Sequence, residues 1–142
     1  MDEPAISASG TMIVIMTKDP ATGFLTEELD TYQVGELAGL LQNTYASLSD
    51  NPRIHLLLTT ERDMDDWEYE AVLDYYDEGA LLPLVDSFQE LMDFYNPTWE
   101  VTFAYTGQHE ETEEKIRQIL QAHKLELASV YEAIRDVQAD YE

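Results

Sequence analysis

The stretch "ERDMDDWEYEAVLDYYDEGALL", residues 61–82, decides the predicted fold, because the order of the elements depends on whether it forms a strand or a helix. Within it, residues 67–75 place apolar side chains at alternate positions. These side chains are Trp67, Tyr69, Ala71, Leu73 and Tyr75, with the acids Glu68, Glu70 and Asp74 between them. A period of two is typical of a strand with one buried face. We therefore predict a strand over residues 67–75 that forms a hairpin with a strand over residues 53–60.

Upstream of this stretch, the pattern predicts a first hairpin followed by a helix. Residues 11–17 form a short apolar run rich in β-branched side chains, which is typical of an interior strand. The turn-forming sequence "KDPATG" follows, and residues 24–29 are predicted to return as its partner strand. Asp30 and Gln33 have the spacing of a capping box. Apolar residues then recur at helical intervals over residues 34–48, so we predict a helix there.

Downstream, the pattern predicts a helix, a strand and a last helix. Pro83 suits the first turn of a helix, and the apolar spacing extends this helix to Tyr95, before Asn96 and Pro97. Residues 98–106 alternate in polarity and predict a strand. The last helix is predicted from about Glu110 to the end of the chain.

The predicted order of elements is therefore β-β-α-β-β-α-β-α. This order indicates an α+β fold, with a mainly antiparallel sheet of about five strands and a long C-terminal helix. We expect residues 11–142 to form a single domain and residues 1–10 to form a flexible N-terminal tail.

The composition narrows the classes of function. The chain of 142 residues has 30 Asp and Glu against 7 Lys and Arg, a net charge of −23, and no cysteine. The missing cysteines exclude disulfides, thiolate zinc sites and thiol catalysis. A strongly negative field repels phosphates, so we expect neither direct nucleic-acid binding nor binding to anionic membranes.

The first ten residues lack a signal-peptide pattern, and the longest apolar run, residues 12–16, is too short to cross a bilayer. A cytoplasmic location is expected.

The opening stretch also supplies a candidate acidic interaction surface. Its members are Glu61, Asp63, Asp65, Asp66, Glu68, Glu70, Asp74, Asp77 and Glu78. On the predicted strand, the acids would lie on the face opposite the aromatic side chains. This surface depends on Glu68, Glu70 and Asp74 being exposed to solvent.

Metal, cofactor and catalytic sites are not predicted. An EF-hand loop beginning at Asp63 would need Gly and Glu where Glu68 and Asp74 stand. His55, His109 and His123 lack the spacing of metal ligands. We expect His123 to be a packed, hydrogen-bonded core residue, and His55 to point to the sheet face opposite its apolar neighbours. No nucleophile or phosphate-binding motif is present, so we predict a protein that is not an enzyme.

Three functions remain open. The leading hypothesis is a non-enzymatic protein–protein interaction module, which could form a homodimer through its last helix. The first alternative is a DNA mimic or an immunity-type inhibitor that binds a basic protein through acids and exposed Tyr and Trp side chains. The second alternative is a small hydrolase that uses carboxylates.

The segments "KDPATGF", "DDWEYEAVLDYYD" and "NPTWEV" together resemble short, uncharacterised proteins of Firmicutes bacteria that share a domain of unknown function. The resemblance covers most of residues 12–142. It implies a bacterial cytoplasmic protein, and it assigns no catalytic residue.

Overall fold

The computed structural model describes residues 12–142, so the predicted tail, residues 1–10, lies outside the described residues. The strands are β1 Met12–Lys18, β2 Leu25–Gln33, β3 Leu41–Ser47, β4 Arg53–Thr59, β5 Ser87–Leu91 and β6 Thr98–Ala104. The α-helices are α1 Asp66–Tyr75 and α2 His109–Ile134. Short 3-10 segments cover Gly35–Leu40, Glu78–Ala80, Leu82–Leu84 and Gln138–Tyr141.

The six strands form one mixed sheet in the order β2-β1-β3-β4-β6-β5. Neighbouring strands are antiparallel except β1 and β3, which are parallel and share one registered pair, Thr17 with Ala46. The prediction of an α+β fold with a mainly antiparallel sheet and a long C-terminal helix is confirmed, with six strands in place of about five.

The core lies between one face of the sheet and the two helices. Ile54, Leu56 and Leu58 of β4 are fully buried on this face, opposite Phe103, Val101 and Trp99 of β6. The helices contribute Ala71, Val72, Ile116, Ile119, Leu120 and Leu127 to the same cluster. Fully burying one such aliphatic side chain contributes about 1.5–3 kcal/mol. Because successive residues of a strand point to opposite faces, His55 lies on the other side, away from both helices.

The predicted strand over residues 67–75 is wrong, because this segment forms α1. The backbone N–H of Asp65 donates to Oε1 of Glu68 at 3.2 Å, which is one half of a capping box. Ala71 and Val72 then pack into the core. An alternating pattern is compatible with this helix, because Trp67, Ala71 and Tyr75 also follow one another at intervals of four. The hairpin predicted with residues 53–60 is therefore absent, and β4 pairs with β3 and β6 instead.

The predicted helix over residues 34–48 is also wrong. β2 continues through Gln33, a 3-10 segment follows, and residues 41–47 form β3. Gly35 has a φ of +62°, a left-handed conformation that interrupts a helix at its first turn. Asp30 does not cap a helix; its Oδ2 contacts Nδ1 of His109 at 2.9 Å.

Downstream, the predicted helix between Pro83 and Tyr95 is also wrong, and the last helix ends earlier than predicted. The predicted helix between Pro83 and Tyr95 is replaced by a short 3-10 segment and the edge strand β5, which gains its backbone partners from β6. The last helix is confirmed, but α2 ends at Ile134 and a separate 3-10 segment follows. The strands predicted at residues 11–17, 24–29, 53–60 and 98–106 correspond to β1, β2, β4 and β6.

Candidate functional site

An acidic stripe runs along the solvent side of α1. Asp66, Glu70 and Asp74 follow one another at intervals of four residues, so they share one helix face, and all three are exposed. Asp74 accepts a hydrogen bond from the hydroxyl of Tyr141 at 2.8 Å. Within residues 12–142, no ion pair joins any of the three to a basic side chain. Like charges at this spacing destabilise a helix by about 0.2–0.5 kcal/mol per pair. A cationic partner would relieve this repulsion.

The other predicted members of the acidic surface lie at the two ends of α1. Glu61, Asp63 and Asp65 precede the helix, Asp77 and Glu78 follow it, and all five are exposed. Three of them make local contacts. Asp63 accepts from the side-chain amide of Asn96 at 3.2 Å, Asp77 accepts from the backbone N–H of Gly79 at 2.9 Å, and Asp65 caps α1.

Glu68 differs from the rest of the predicted set. Its side chain is only 17% exposed and lies 3.3 Å from the guanidinium of Arg62. It also accepts the backbone N–H of Asp65. Glu68 therefore holds the start of the helix in place, whereas Glu70 and Asp74 remain on the surface.

A groove of about 480 Å³ lies beside the acidic stripe. It is lined by Met64, Asp66, Tyr69, Glu70, Met92, Phe94 and Tyr95. The residues Met92 and Tyr95 are 65% and 78% exposed. The hydroxyl of Tyr69 donates to the carbonyl of Phe94 at 3.1 Å and fixes the loop against α1. Burial, and then the charge of Asp93, raise the pKa of Tyr69, which keeps this hydroxyl protonated.

This loop was not predicted from the sequence, because the spacing of apolar residues before Tyr95 is typical of a helix. The pair Asn96–Pro97 was the available signal, since it marks a turn after an exposed aromatic residue. The groove combines the carboxylates of Asp66 and Glu70 with the exposed residues Met92 and Tyr95.

A second cluster occupies the sheet face that the helices leave uncovered. Nδ1 of His55 lies 2.6 Å from Oε2 of Glu100, and Nε2 lies 3.0 Å from Oγ of Ser47. The hydroxyl of Tyr45 donates to the same carboxylate oxygen at 2.9 Å, and its ring stacks on the imidazole at a centroid distance of 4.3 Å. Burial, and then Glu100, raise the pKa of Tyr45 to about 12, so Tyr45 stays a donor at neutral pH. The prediction that His55 points away from its apolar neighbours is confirmed.

The other two histidines have structural roles. His123 is fully buried; its Nε2 donates to the carbonyl of Thr59 and its Nδ1 accepts from the hydroxyl of Tyr76, both at 2.8 Å. The prediction of a hydrogen-bonded core histidine is therefore confirmed. His109 is exposed at the start of α2 and contacts Asp30 of β2. The hydrogen bond with Asp30 is the largest cause that raises the pKa of His109.

Two further features bear on binding. Among residues 12–142, no three His, Asp or Glu side chains are grouped as a metal site requires. The helices in the same range include none with the length and apolar character needed to cross a membrane.

Comparison with known proteins places the chain in a family without assigning an activity. No curated protein and no solved structure matches it. The model of one family matches residues 9–142, which is nearly the whole sequence. The chain therefore belongs to the family of unknown function DUF6762.

Proposed function

We propose that this protein is a protein–protein interaction module that binds a basic segment of a partner through the face of α1. The binding surface consists of the acidic stripe, Asp66, Glu70 and Asp74, together with the exposed side chains of Met92 and Tyr95. The observation that supports it is the alignment of three exposed carboxylates beside an apolar groove, with no basic side chain of the described residues paired to them.

Each half of this surface contributes a different part of the binding energy. The carboxylates attract a cationic segment and raise its association rate, an effect that falls steeply with ionic strength. Met92 and Tyr95 supply apolar area that the partner can bury, and tyrosine is among the side chains enriched at binding hot spots. The proposed partner segment therefore contains Lys or Arg residues around one or two apolar anchors. The location that goes with this proposal is the cytoplasm.

Charge density favours a basic protein segment over mimicry of a DNA strand. Four residues of helix rise about 6 Å, so the stripe carries one charge per ~6 Å along α1. One strand of duplex DNA carries one charge per ~3.4 Å of axis. A DNA mimic would need the acids at both ends of the helix in addition to the stripe.

The experiment compares two variants that lose equal charge. Asp66→Asn, Glu70→Gln and Asp74→Asn together neutralise the stripe, and Asn at position 74 can still accept from Tyr141. The control combines Glu27→Gln, Glu28→Gln and Asp50→Asn, three exposed positions on β2 and on the β3–β4 loop. Partners are captured from the native host with the wild-type protein, identified, purified, and measured against all three proteins at about 50 mM and about 300 mM salt.

We expect the stripe variant to bind the purified partner at least tenfold more weakly than the control at low salt, since three charge contacts are lost. We also expect the difference in affinity between the wild type and the stripe variant to decrease at high salt. Equal affinity of the stripe variant and the control would refute the proposal, because both carry the same net charge.

A further inference from the structure

Three side chains on the uncovered sheet face are connected in the order serine, imidazole, carboxylate. Oγ of Ser47 lies 3.0 Å from Nε2 of His55, and Nδ1 of His55 lies 2.6 Å from Glu100. Both distances are within hydrogen-bonding range. The residues come from β3, β4 and β6, three consecutive strands of the sheet, so the arrangement is held by backbone pairing rather than by a loop.

The carboxylate fixes the tautomer of the imidazole. An ionised carboxylate can only accept, so the contact with Glu100 requires a proton on Nδ1 of His55. In the neutral ring, Nε2 then carries no proton, and its lone pair is directed at the hydroxyl of Ser47. The hydroxyl must therefore donate, and His55 is placed to take its proton.

Tyr45 holds this group from a further direction. Its ring lies 4.3 Å from the imidazole with an interplanar angle of 13°, and its hydroxyl donates to Glu100. The ring orientation of His55 is thus determined by Ser47, Glu100 and Tyr45 together. The side chains of His55 and Glu100 are 18% and 21% exposed, so the cluster is partly shielded and still open to small molecules.

Positive charge lies next to the cluster in a chain that has little of it. Arg53 is paired directly opposite Ser47 in the β3–β4 register, and Nζ of Lys18 lies 4.4 Å from the centre of the Tyr45 ring. Arg53 contacts Asp86 through Nε and the carbonyl of Pro52 through Nη1, which leaves further guanidinium donors for an anion. Two of the seven basic residues, Lys18 and Arg53, thus lie on the strands β1 and β4 that neighbour β3.

We propose that Ser47 is a nucleophile for small carboxylic esters, with His55 as its general base and Glu100 and Tyr45 as positioning residues. Oγ of Ser47 bonds to the acyl carbon as its proton passes to Nε2 of His55, and the negative charge develops on the carbonyl oxygen. The carbon–oxygen bond to the alcohol then breaks, and the alcohol leaves with the proton from Nε2. Water attacks the acyl-Ser47 ester by the same proton path and releases the carboxylic acid. This site shares no residue with the acidic stripe, so either proposal can fail without the other.

The uncovered face offers little binding surface, so an activated ester is the appropriate probe. The folded protein is incubated with p-nitrophenyl acetate, nitrophenolate release is followed, and acetylated residues are located by mass spectrometry. We expect acetyl-Ser47. Ser87 is the internal comparison, because it lies on the same sheet face and its Oγ contacts the hydroxyl of Thr102 instead of a histidine.

The variants separate catalysis from structure. Ser47→Ala should abolish the adduct, and Ser87→Ala should leave it unchanged. His55→Ala should slow acetylation of Ser47 by about 100-fold or more, and added imidazole should restore part of the rate, which a purely structural histidine would not allow. Glu100→Gln should fall between the wild type and His55→Ala, and Glu100→Asp should recover part of the loss because it keeps the carboxylate. The absence of both acetyl-Ser47 and Ser47-dependent nitrophenolate release, equal acetylation of Ser47 and Ser87, or an unchanged rate in His55→Ala would each overturn the proposal.

Discussion

The stability of the fold at acidic pH should depend on His123, and the size of this effect follows from the burial of the imidazole. The imidazole has no exposed surface and makes hydrogen bonds with Thr59 and Tyr76. Burial lowers the pKa of His123 from 6.5 to about 4, and the hydrogen bond to the Thr59 carbonyl opposes part of this effect. The folded protein therefore keeps the ring neutral at pH values where the unfolded chain binds a proton.

The depressed pKa sets the direction of the pH dependence. The stabilisation linked to His123 is fully present above a pH of about 6.5, and it is lost as the pH falls towards about 4, because only the unfolded state gains the proton. These two pKa values give a loss of about 2 kcal/mol at pH ~5 and about 3 kcal/mol at pH ~4. For a domain of this length, 2 kcal/mol corresponds to a decrease of roughly 6 °C in Tm.

His123→Gln is the matched perturbation. A glutamine amide can donate to the Thr59 carbonyl and accept from the Tyr76 hydroxyl, but it does not titrate. The variant should be less stable than the wild type near neutral pH, because the ring also packs against Trp99 at a centroid distance of 5.5 Å. The stability gap between the two proteins should then narrow by about 2 kcal/mol between pH ~7.5 and pH ~5.

Urea unfolding of both proteins across this pH range measures the gap directly. The many carboxylates titrate in both proteins, so their contribution cancels in the difference. A gap that stays constant with pH would show that His123 does not carry the acid sensitivity.

Three further predictions concern other contacts. His109→Gln should give the opposite pH trend in the same urea series. Because the pKa of His109 is raised, its stabilising effect is fully present at low pH and is lost as the pH rises through the folded-state pKa. A pH trend like that of His123→Gln would contradict this prediction. Asp65→Ala should lower the free energy of unfolding by about 1 kcal/mol, measured in urea, because the α1 cap is lost. Asp65→Asn should lower it much less, because asparagine can still cap a helix. Equal decreases for the two variants would argue against the cap. If α2 forms the predicted homodimer, light scattering should give twice the chain mass of 16.3 kDa. Leu125 is 62% exposed on α2, and Leu125→Glu should restore the single-chain mass. A wild-type protein of single-chain mass would refute the dimer.

The sequence predicted the elements whose local pattern allows one structure only. The apolar run of β1, the alternation in β6 and the long stripe of α2 were assigned correctly. Residues 67–75 were ambiguous because alternate spacing and four-residue spacing share several positions. The capping-box spacing predicted at Asp30 caps no helix, whereas Asp65 and Glu68, which have the same spacing, begin α1. Backbone pairing decided the structure at Asp30, because the chain from Asp30 to Gln33 pairs with β1.

The candidate sites were predictable to different degrees. The acids around α1 were recognised from composition, but their alignment as a stripe depends on the segment being a helix. The cluster around His55 was out of reach, because Ser47 was assigned to a helix. Its geometry also requires the registers of β3 with β4 and of β4 with β6, which are non-local properties.

The parallel contact between β1 and β3 divides the sheet into two antiparallel blocks joined by one registered pair. α2 spans both blocks: Glu113 and Arg117 bind the backbone of Gln33 in β2, and His123 binds Thr59 in β4. α2 therefore adds side-chain contacts that tie together two blocks whose backbone ladder has one registered pair. Loosening the first turns of α2 would let the β1–β2 hairpin open as a separate unit in hydrogen exchange, while the four-stranded block stays closed.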